Sequence, residues 1–219
     1  MACIWKIFVM ITLMAIFSLE PPVFATSEKI VEDVIDIHLG DQEVIAVKQG
    51  ETISKIDLQL KETFLWKGTD GYVGAVVTTE RLLAVSRSSS GWIELPFRLS
   101  EAYEKTPPDV LLSDRLVLLA TNKRIIGFDS DSNRWATVDL PLHEELVETA
   151  IDAYVGVSVT TGRAYGLAKG VSTFVEERFK EKEQILSVET SAYNATIRTS
   201  RRLLIFKSAG AYWREIDVD

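Results

Sequence analysis

A pattern of three residues occurs four times along this chain of 219 residues. In each copy a threonine is followed three residues later by an arginine, and eleven residues after the arginine by a large aromatic residue. Successive arginines lie 43, 39 and 39 residues apart. A fixed pattern inside a period near forty residues is typical of one supersecondary unit copied in tandem. The four copies are Thr78, Arg81 and Trp92; Thr121, Arg124 and Trp135; Thr160, Arg163 and Phe174; and Thr199, Arg202 and Trp213.

Each copy of the pattern is surrounded by segments that favour short β-strands. In the unit that contains Arg124, these segments are DVLLS, RLVLLAT, RIIGFD and WATVDL. Asn122 and Lys123 form a two-residue connection between the second and third strands, which is the length of a tight hairpin turn. The apolar runs do not alternate strictly with polar residues, so we expect strands that are buried on both faces. The sequence therefore predicts antiparallel sheets packed against one another.

Sheets of four antiparallel strands, repeated about every forty residues, resemble the blades of a β-propeller. The resemblance is one of architecture, since the chain has no kelch double glycine and no Trp-Asp dipeptide ending a blade. It implies an all-β, compact β-propeller of about five four-stranded blades, with four clear repeats and one degenerate N-terminal repeat. Four units preceded by a different N-terminal piece, or an open solenoid, are the alternatives. The predicted units span residues 30–60, 61–104, 105–145, 146–182 and 183–219.

The N-terminal segment has the features of a secretory signal peptide. An apolar run from Ile7 to Leu19 is followed by two prolines and by a small residue, Ala25, after which we expect cleavage. An uncleaved membrane anchor is the alternative. Cys3 is the only cysteine of the chain, so the predicted single domain, residues 26–219, must be stabilised by core burial without disulfides. We expect a periplasmic or secreted protein, with no membrane span after cleavage.

The composition argues against several classes of function. A net charge of −8 disfavours binding to nucleic acid or to anionic membrane surfaces. Residues 26–219 contain no cysteine and two histidines, His38 and His143, at non-equivalent positions of the repeat. No nucleophile motif, zinc-ligand spacing or glycine-rich phosphate loop is present in the sequence. We therefore predict no catalytic residues, no metal site and no cofactor.

The repeated residues themselves have a structural and a functional interpretation. A large aromatic at the start of each fourth strand can bury about 150–250 Å², so we expect these side chains to pack one blade against the next. Stacking against a sugar is the alternative. The four arginines open the third strands, where we expect them to bond neighbouring carbonyl or carboxylate groups, and the threonines to close the turns. A ring of arginines around an anion is the alternative.

Three aspartates near the ends of first strands are the candidates for a ligand site. Asp70 and Asp152 each lie eight residues before the threonine of their unit, and Asp114 lies one position later in its own unit. First strands line the central channel of a propeller, so these carboxylates could converge and bind a cation or act as acid and base. The alternative is that each aspartate caps its own hairpin turn.

Three functional hypotheses follow from the sequence. The first is an exported, non-catalytic propeller that is monomeric by itself and acts as a protein-interaction or scaffold module in the cell envelope, with an unidentified protein partner. The second is a propeller that binds a small ligand or a glycan in pockets between units. The third, and least favoured, is a hydrolase that uses Asp70, Asp114 and Asp152.

Overall fold

The computed structural model describes residues 34–103 and 105–218, which belong to one compact unit. The predicted signal peptide, residues 1–25, lies outside the described residues. All regular elements within the described residues are β-strands. No helix in this part of the chain has the length and hydropathy that a bilayer-spanning segment needs.

The strands form five separate antiparallel sheets, each built from strands that are consecutive in the sequence. We number these sheets as blades 1 to 5. Blade 1 contains three described strands: β1 (Ile35–Leu39), β2 (Glu43–Lys48) and β3 (Glu51–Asp57). Blades 2 to 5 contain four strands each. Blade 2 contains β4 (Phe64–Asp70), β5 (Val73–Thr78), β6 (Arg81–Ser86) and β7 (Ile93–Pro96), and blade 3 contains β8 (Val110–Leu112), β9 (Leu116–Ala120), β10 (Arg124–Asp129) and β11 (Arg134–Asp139). Blade 4 contains β12 (Leu146–Asp152), β13 (Val155–Thr160), β14 (Arg163–Ala168) and β15 (Val175–Arg178), and blade 5 contains β16 (Ile185–Ser191), β17 (Asn194–Thr199), β18 (Arg202–Lys207) and β19 (Tyr212–Asp217).

The all-β propeller of five blades that the repeat predicts is confirmed. The degenerate first repeat forms a sheet, and its strands correspond to the second, third and fourth strands of the other blades. A repeated hydrogen bond shows this correspondence. The residue just before the second strand donates its N–H to a carbonyl in the next blade, from Tyr72 to Asp114 and from Tyr154 to Ala192, and Val34, just before β1, donates to the Gly71 carbonyl in the same way.

The second and third strands of the middle blades form the core. Every residue of β5, β6, β10 and β13 is buried, because these strands carry apolar runs and have a neighbouring blade on each side. Val76, Leu83 and Val85 pack against blade 1, whereas Val77 and Leu82 pack against blade 3. Blade 2 therefore uses one face for the preceding blade and the other face for the following blade.

The first strands carry a β-bulge at one repeated position. The pairing shifts between Phe64 and Trp66 in β4, between Leu146 and Glu148 in β12, and between Ile185 and Ser187 in β16. A bulge inserts one residue and redirects its side chain. At these three sites the inserted residue is apolar, and in the last two it is about half exposed to solvent.

Candidate functional site

A buried ion-pair network joins the threonine and the arginine of each clear repeat to a glutamate that sequence analysis did not single out. In blade 2, the Glu62 carboxylate accepts hydrogen bonds from Thr78 Oγ1 at 2.6 Å and from Arg81 Nε at 3.0 Å. The Arg81 Nη2 also donates to the Asp57 carbonyl of blade 1, at 2.8 Å. The network thus ties consecutive blades together. Its four glutamates, which we call the network glutamates, are Glu62, Glu101, Glu144 and Glu183.

The spacing of the network glutamates is a signal that sequence reasoning missed. They precede the repeated threonines by 16, 20, 16 and 16 residues. Because each lies in a loop between blades, strand periodicity did not draw attention to them. The extra four residues in the second interval account for the longer spacing of 43 residues between Arg81 and Arg124.

The network lowers the pKa of three of its glutamates. Burial alone would raise the pKa of Glu62, Glu101 and Glu183, but the hydrogen bonds that each carboxylate accepts outweigh burial and hold each pKa below its usual value. For Arg81 and Arg202, burial would lower the pKa, but the carboxylate partners raise it above the usual value. The arginines are therefore committed to structural ion pairs and do not form a ring around an open anion site.

Each network glutamate closes a tight turn, and in three of the four turns the third residue, Lys61, Ser100 or Lys182, has a positive φ of 60–70°. The glutamate N–H donates to the carbonyl three residues earlier, at 2.9–3.0 Å in all four turns. The Glu62, Glu101 and Glu183 carboxylates also accept a bond from the N–H of the first turn residue, whereas in the fourth case that residue is Pro141, which has no N–H. Both ends of the backbone are thereby bonded to the glutamate in three of the turns, and one end in the turn that begins at Pro141. The turns span residues 59–62, 98–101, 141–144 and 180–183.

Three of these turns present a leucine to solvent. The second residue is Leu60, Leu99 or Leu142 in the first three turns, and these side chains are 92%, 91% and 97% exposed. In the last turn the same position holds Glu181. Single exposed leucines are common on protein surfaces. Here, however, a turn closed by a network glutamate presents a leucine at three consecutive junctions between blades, and we call these the leucine turns.

The leucine turns lie on one face of the propeller, which we call the leucine face. Each turn precedes a first strand, and the start of that strand pairs with the end of the second strand, as in the pair of Phe64 with Thr78. The hairpin turns after Thr78, Thr121, Thr160 and Thr199 therefore lie on the same face. The opposite face carries the turns between first and second strands.

A cleft lies at the leucine-face end of the first strands of blades 2, 3 and 4. It has a volume of about 540 Å³, and its lining includes Trp66, Tyr103, Pro107, Leu111 and Val147. The cleft exists because β8 has three residues, whereas β4, β12 and β16 have seven. The extra four residues of this repeat lie in the segment that replaces the start of β8, and Pro107 and Pro108 in that segment have no N–H to donate to β9.

Tyr103 provides a hydrogen-bonding group at this cleft. Its ring packs edge-on against Phe97, with ring centres 5.3 Å apart. Its hydroxyl oxygen is buried and has no hydrogen-bond partner among the described residues. Burial raises the pKa of the Tyr103 hydroxyl, and the charge of Glu101 adds to the increase, so the group is a neutral donor.

The three candidate aspartates lie on the face opposite the leucine face. Asp70 and Asp152 end β4 and β12, and Asp114 lies in the turn after β8. The Asp114 carboxylate lies against Gly71 of the preceding blade, and Asp152 Oδ1 accepts a bond from the Ala153 N–H in its own turn. Within the described residues, no group of three or more histidine, cysteine, aspartate or glutamate side chains is close enough to hold a metal ion.

The four repeated aromatics lie between blades. Trp135 Nε1 donates to the Ile93 carbonyl at 3.0 Å, and Trp213 Nε1 donates to the Val175 carbonyl at 2.9 Å, in each case on the fourth strand of the preceding blade. Phe174 packs into the clusters between blades 3 and 4. Trp92 packs against blade 1, but its buried indole nitrogen has no partner among the described residues. None of the four is available as an open stacking platform for a sugar.

Comparison with known proteins finds similarity at the level of structure only. No family model and no curated protein sequence matches the chain. The solved structures that it resembles are WD40 and other β-propeller proteins. They include the WD40 domain of SCAP from fission yeast (9% identity, 85% of this chain and 56% of that chain covered, TM-score 0.37). They also include AztD from Citrobacter koseri (12% identity, 84% and 59% covered, TM-score 0.39) and Prp20p from Saccharomyces cerevisiae (8% identity, 80% and 56% covered, TM-score 0.40). The chain spans less than two thirds of the length of these chains, and the likeness concerns the fold alone.

Proposed function

We propose that this chain is a non-catalytic protein-interaction module of the cell envelope, and that its leucine face binds the partner. The observation that carries the proposal is the repetition of the leucine turns. Full burial of one leucine side chain contributes about 1.5–3 kcal/mol to binding. Because the network glutamates fix the turns before binding, little conformational entropy is lost when a partner covers them.

The spacing of the leucine turns favours a partner of protein size. Packed sheets lie about 10 Å apart, so three turns at consecutive blade junctions extend over roughly 20 Å. A partner that contacts all three leucines must be larger than a single sugar or metabolite. The half-exposed Val147, which lines the cleft, adds apolar surface at the same end of the first strands.

The pairing of the buried charged side chains with one another supports the proposal of a non-catalytic protein. Among the described residues, the buried arginines and glutamates pair with one another inside the network, as in Arg124 with Glu101 and Arg202 with Glu183.

The proposal of export is supported by the N-terminal sequence, with its apolar run and the small residue Ala25. Mass spectrometry of the mature protein from cell fractions would test the cleavage site and the compartment.

The binding proposal is tested by crosslinked capture from envelope extracts. We expect the triple variant Leu60→Ser, Leu99→Ser and Leu142→Ser to lose the proteins that the native chain captures, while its circular dichroism spectrum is unchanged. Each single leucine variant should weaken binding of the purified partner about tenfold, which corresponds to about 1.4 kcal/mol. Glu181→Ser, at the same position of the fourth turn, is the matched control. An unchanged set of captured proteins with the triple variant would contradict the proposal.

The cleft supports a second candidate function, the binding of a small ligand or glycan. Trp66 and Tyr103 supply aromatic surface, and the Tyr103 hydroxyl is an unsatisfied donor. The cleft depends on the insertion in one repeat, so this candidate predicts a single site and not equivalent sites in every unit. Titration calorimetry with a glycan panel tests it: binding that is lost in Tyr103→Phe supports the site, and equal binding by that variant counts against it.

A further inference from the structure

The first and the fifth blade each bury one face only. Burial alternates along β1 and β2 and along β17 and β18, whereas β5, β10 and β13 are buried at every residue. None of the six buried hydrophobic clusters formed by the described residues joins blade 1 to blade 5. Each end of the described chain therefore carries a sheet face that no other described blade covers.

The outward face of blade 5 is apolar at its centre and basic around it. Cross-strand partners share a face, so the register identifies the outward residues. Leu203 pairs with Ile216, and Ile205 pairs with Arg214. The remaining outward residues of this face are Ser187, Glu189, Ser191, Asn194, Thr196, Arg198, Lys207 and Tyr212.

The basic residues of this face have no ion-pair partner among the residues that the structure describes. Arg198, Lys207 and Arg214 make no ion pair with any described residue. Together with Glu189 they give the face three positive charges and one negative charge. The whole chain has a net charge of −8, so a basic face of this kind is contrary to the overall composition.

The outward face of blade 1 has the opposite charge. Ile45 and Val47 form its centre, and Ile45 pairs with both His38 and Lys55. The face carries three negative charges and one positive charge, from Asp36, Glu43, Asp57 and Lys55. Two of the acids have internal partners, because Asp36 contacts His38 at 3.0 Å and Glu43 contacts Lys55 at 3.7 Å.

The two faces occupy the positions that join blades inside the chain. By the repeat, Leu203 and Ile205 of blade 5 correspond to Leu82 and Ala84 of blade 2, which contact the following blade. Similarly, Ile45 and Val47 of blade 1 correspond to Leu83 and Val85 of blade 2, which contact the preceding blade. The outward faces of blades 5 and 1 therefore have the geometry of one more junction between blades.

We propose that copies of this chain associate head to tail, with the outward face of blade 5 of one copy on the outward face of blade 1 of the next copy. The apolar centres would be buried in the junction, and Arg198, Lys207 and Arg214 would meet the acidic residues of blade 1. Sequence analysis predicted a monomer, and the two uncovered, complementary faces are the reason to propose association instead. Because the contact is heterologous, it produces a closed ring or a chain of copies. The proposal uses different residues from those of the leucine face and is independent of it.

Sedimentation velocity of two charge-reversed variants tests the proposal. The first is Arg198→Glu with Arg214→Glu, which makes the face of blade 5 acidic, and the second is Asp36→Lys with Asp57→Lys, which makes the face of blade 1 basic. We expect the native protein to form dimers or larger species as its concentration rises, and less so at high salt. Each variant alone should remain monomeric, because its two faces then carry like charges. An equimolar mixture of the two variants should associate again, because each reversed face is complementary to a face of the other variant.

The control exchanges two exposed charges that lie on neither face, Glu181→Lys with Lys182→Glu, and should associate as the native protein does. Recovery of association in the mixture distinguishes the proposed junction from a loss of folding in either variant. A native protein that stays monomeric at all concentrations overturns the proposal. Variants that associate like the native protein, or a mixture that stays monomeric, also overturn it.

Discussion

Replacement of Glu101 by glutamine tests whether the buried networks stabilise the propeller. The Glu101 side chain is 0% exposed and that of Arg124 is 4% exposed, and their Oε1 and Nε atoms lie 2.7 Å apart. Among the described residues, Arg124 makes no ion pair with any other carboxylate. Glu101→Gln keeps the shape of the side chain but leaves the guanidinium buried without an anion. Loss of one partner of a buried pair costs about 3–5 kcal/mol, so we expect the free energy of unfolding to fall by that amount.

Glu144→Gln in blade 4 is the matched control. The side chains of Arg163 and Glu144 are 21% and 12% exposed, so solvent screens this pair. Arg163 also retains a second carboxylate, because its Nη1 lies 2.9 Å from Glu176. We expect this substitution to cost about 1 kcal/mol, near the upper end of the values for exposed pairs.

Urea denaturation, followed by tryptophan fluorescence and by far-ultraviolet circular dichroism, measures both effects. The double variant Glu101→Leu with Arg124→Met should recover much of the loss, since replacement of a whole buried pair by apolar side chains is often neutral or stabilising. If Glu101→Gln costs less than about 1 kcal/mol, or no more than Glu144→Gln, the argument that burial decides the strength of these networks is wrong.

Three further predictions concern pH, packing and the repeated aromatics. The pKa values of Glu62, Glu101 and Glu183 are lowered in the folded state, so their contribution to stability is complete above about pH 4.5 and is lost as the pH falls through the folded-state pKa. Urea midpoints measured between pH 3 and 7 should show this decline. Gly166→Ala places a Cβ 2.6 Å from ring atoms of Phe206 and should reduce the free energy of unfolding by about 1–3 kcal/mol. In Gly91→Ala the nearest contact of the new Cβ is Ser54 Oγ at 3.3 Å, so this variant should have little effect on the melting temperature. Trp213→Phe should lower the free energy of unfolding by about 1 kcal/mol more than Trp92→Phe, because the indole N–H of Trp213 has a carbonyl partner and that of Trp92 has none among the described residues. Equal losses for the two variants in urea denaturation would contradict this prediction.

Local pattern was sufficient to predict the blades. The repeated threonine and arginine mark the hairpin between second and third strands. The bond that closes this hairpin is local, because Thr78 Oγ1 accepts it from the Arg81 N–H at 3.0 Å. Unbroken apolar runs such as LVLLA in β9 predict burial on both faces, as observed. These features were accessible because turn chemistry and strand burial depend on neighbouring residues.

The candidate site was not accessible in this way. The leucine turns lie in loops outside the strand pattern, and the exposure of Leu60, Leu99 and Leu142 depends on how the network glutamates hold those loops. The cleft beside Tyr103 results from four extra residues in one repeat. Only the packed blades show that these residues lie in the segment that replaces the start of β8.

The sequence by itself determined the unit of the fold, since each repeat encodes its own strands, its turns and the residues that lock them. Only the tertiary structure decided which faces of those units are covered. Val77 in blade 2 and Arg198 in blade 5 occupy the same position of the repeat, yet Val77 is buried against the next blade and Arg198 is exposed. The physical reason is that burial of a sheet face requires a neighbouring sheet, and neighbours are a property of the assembled chain.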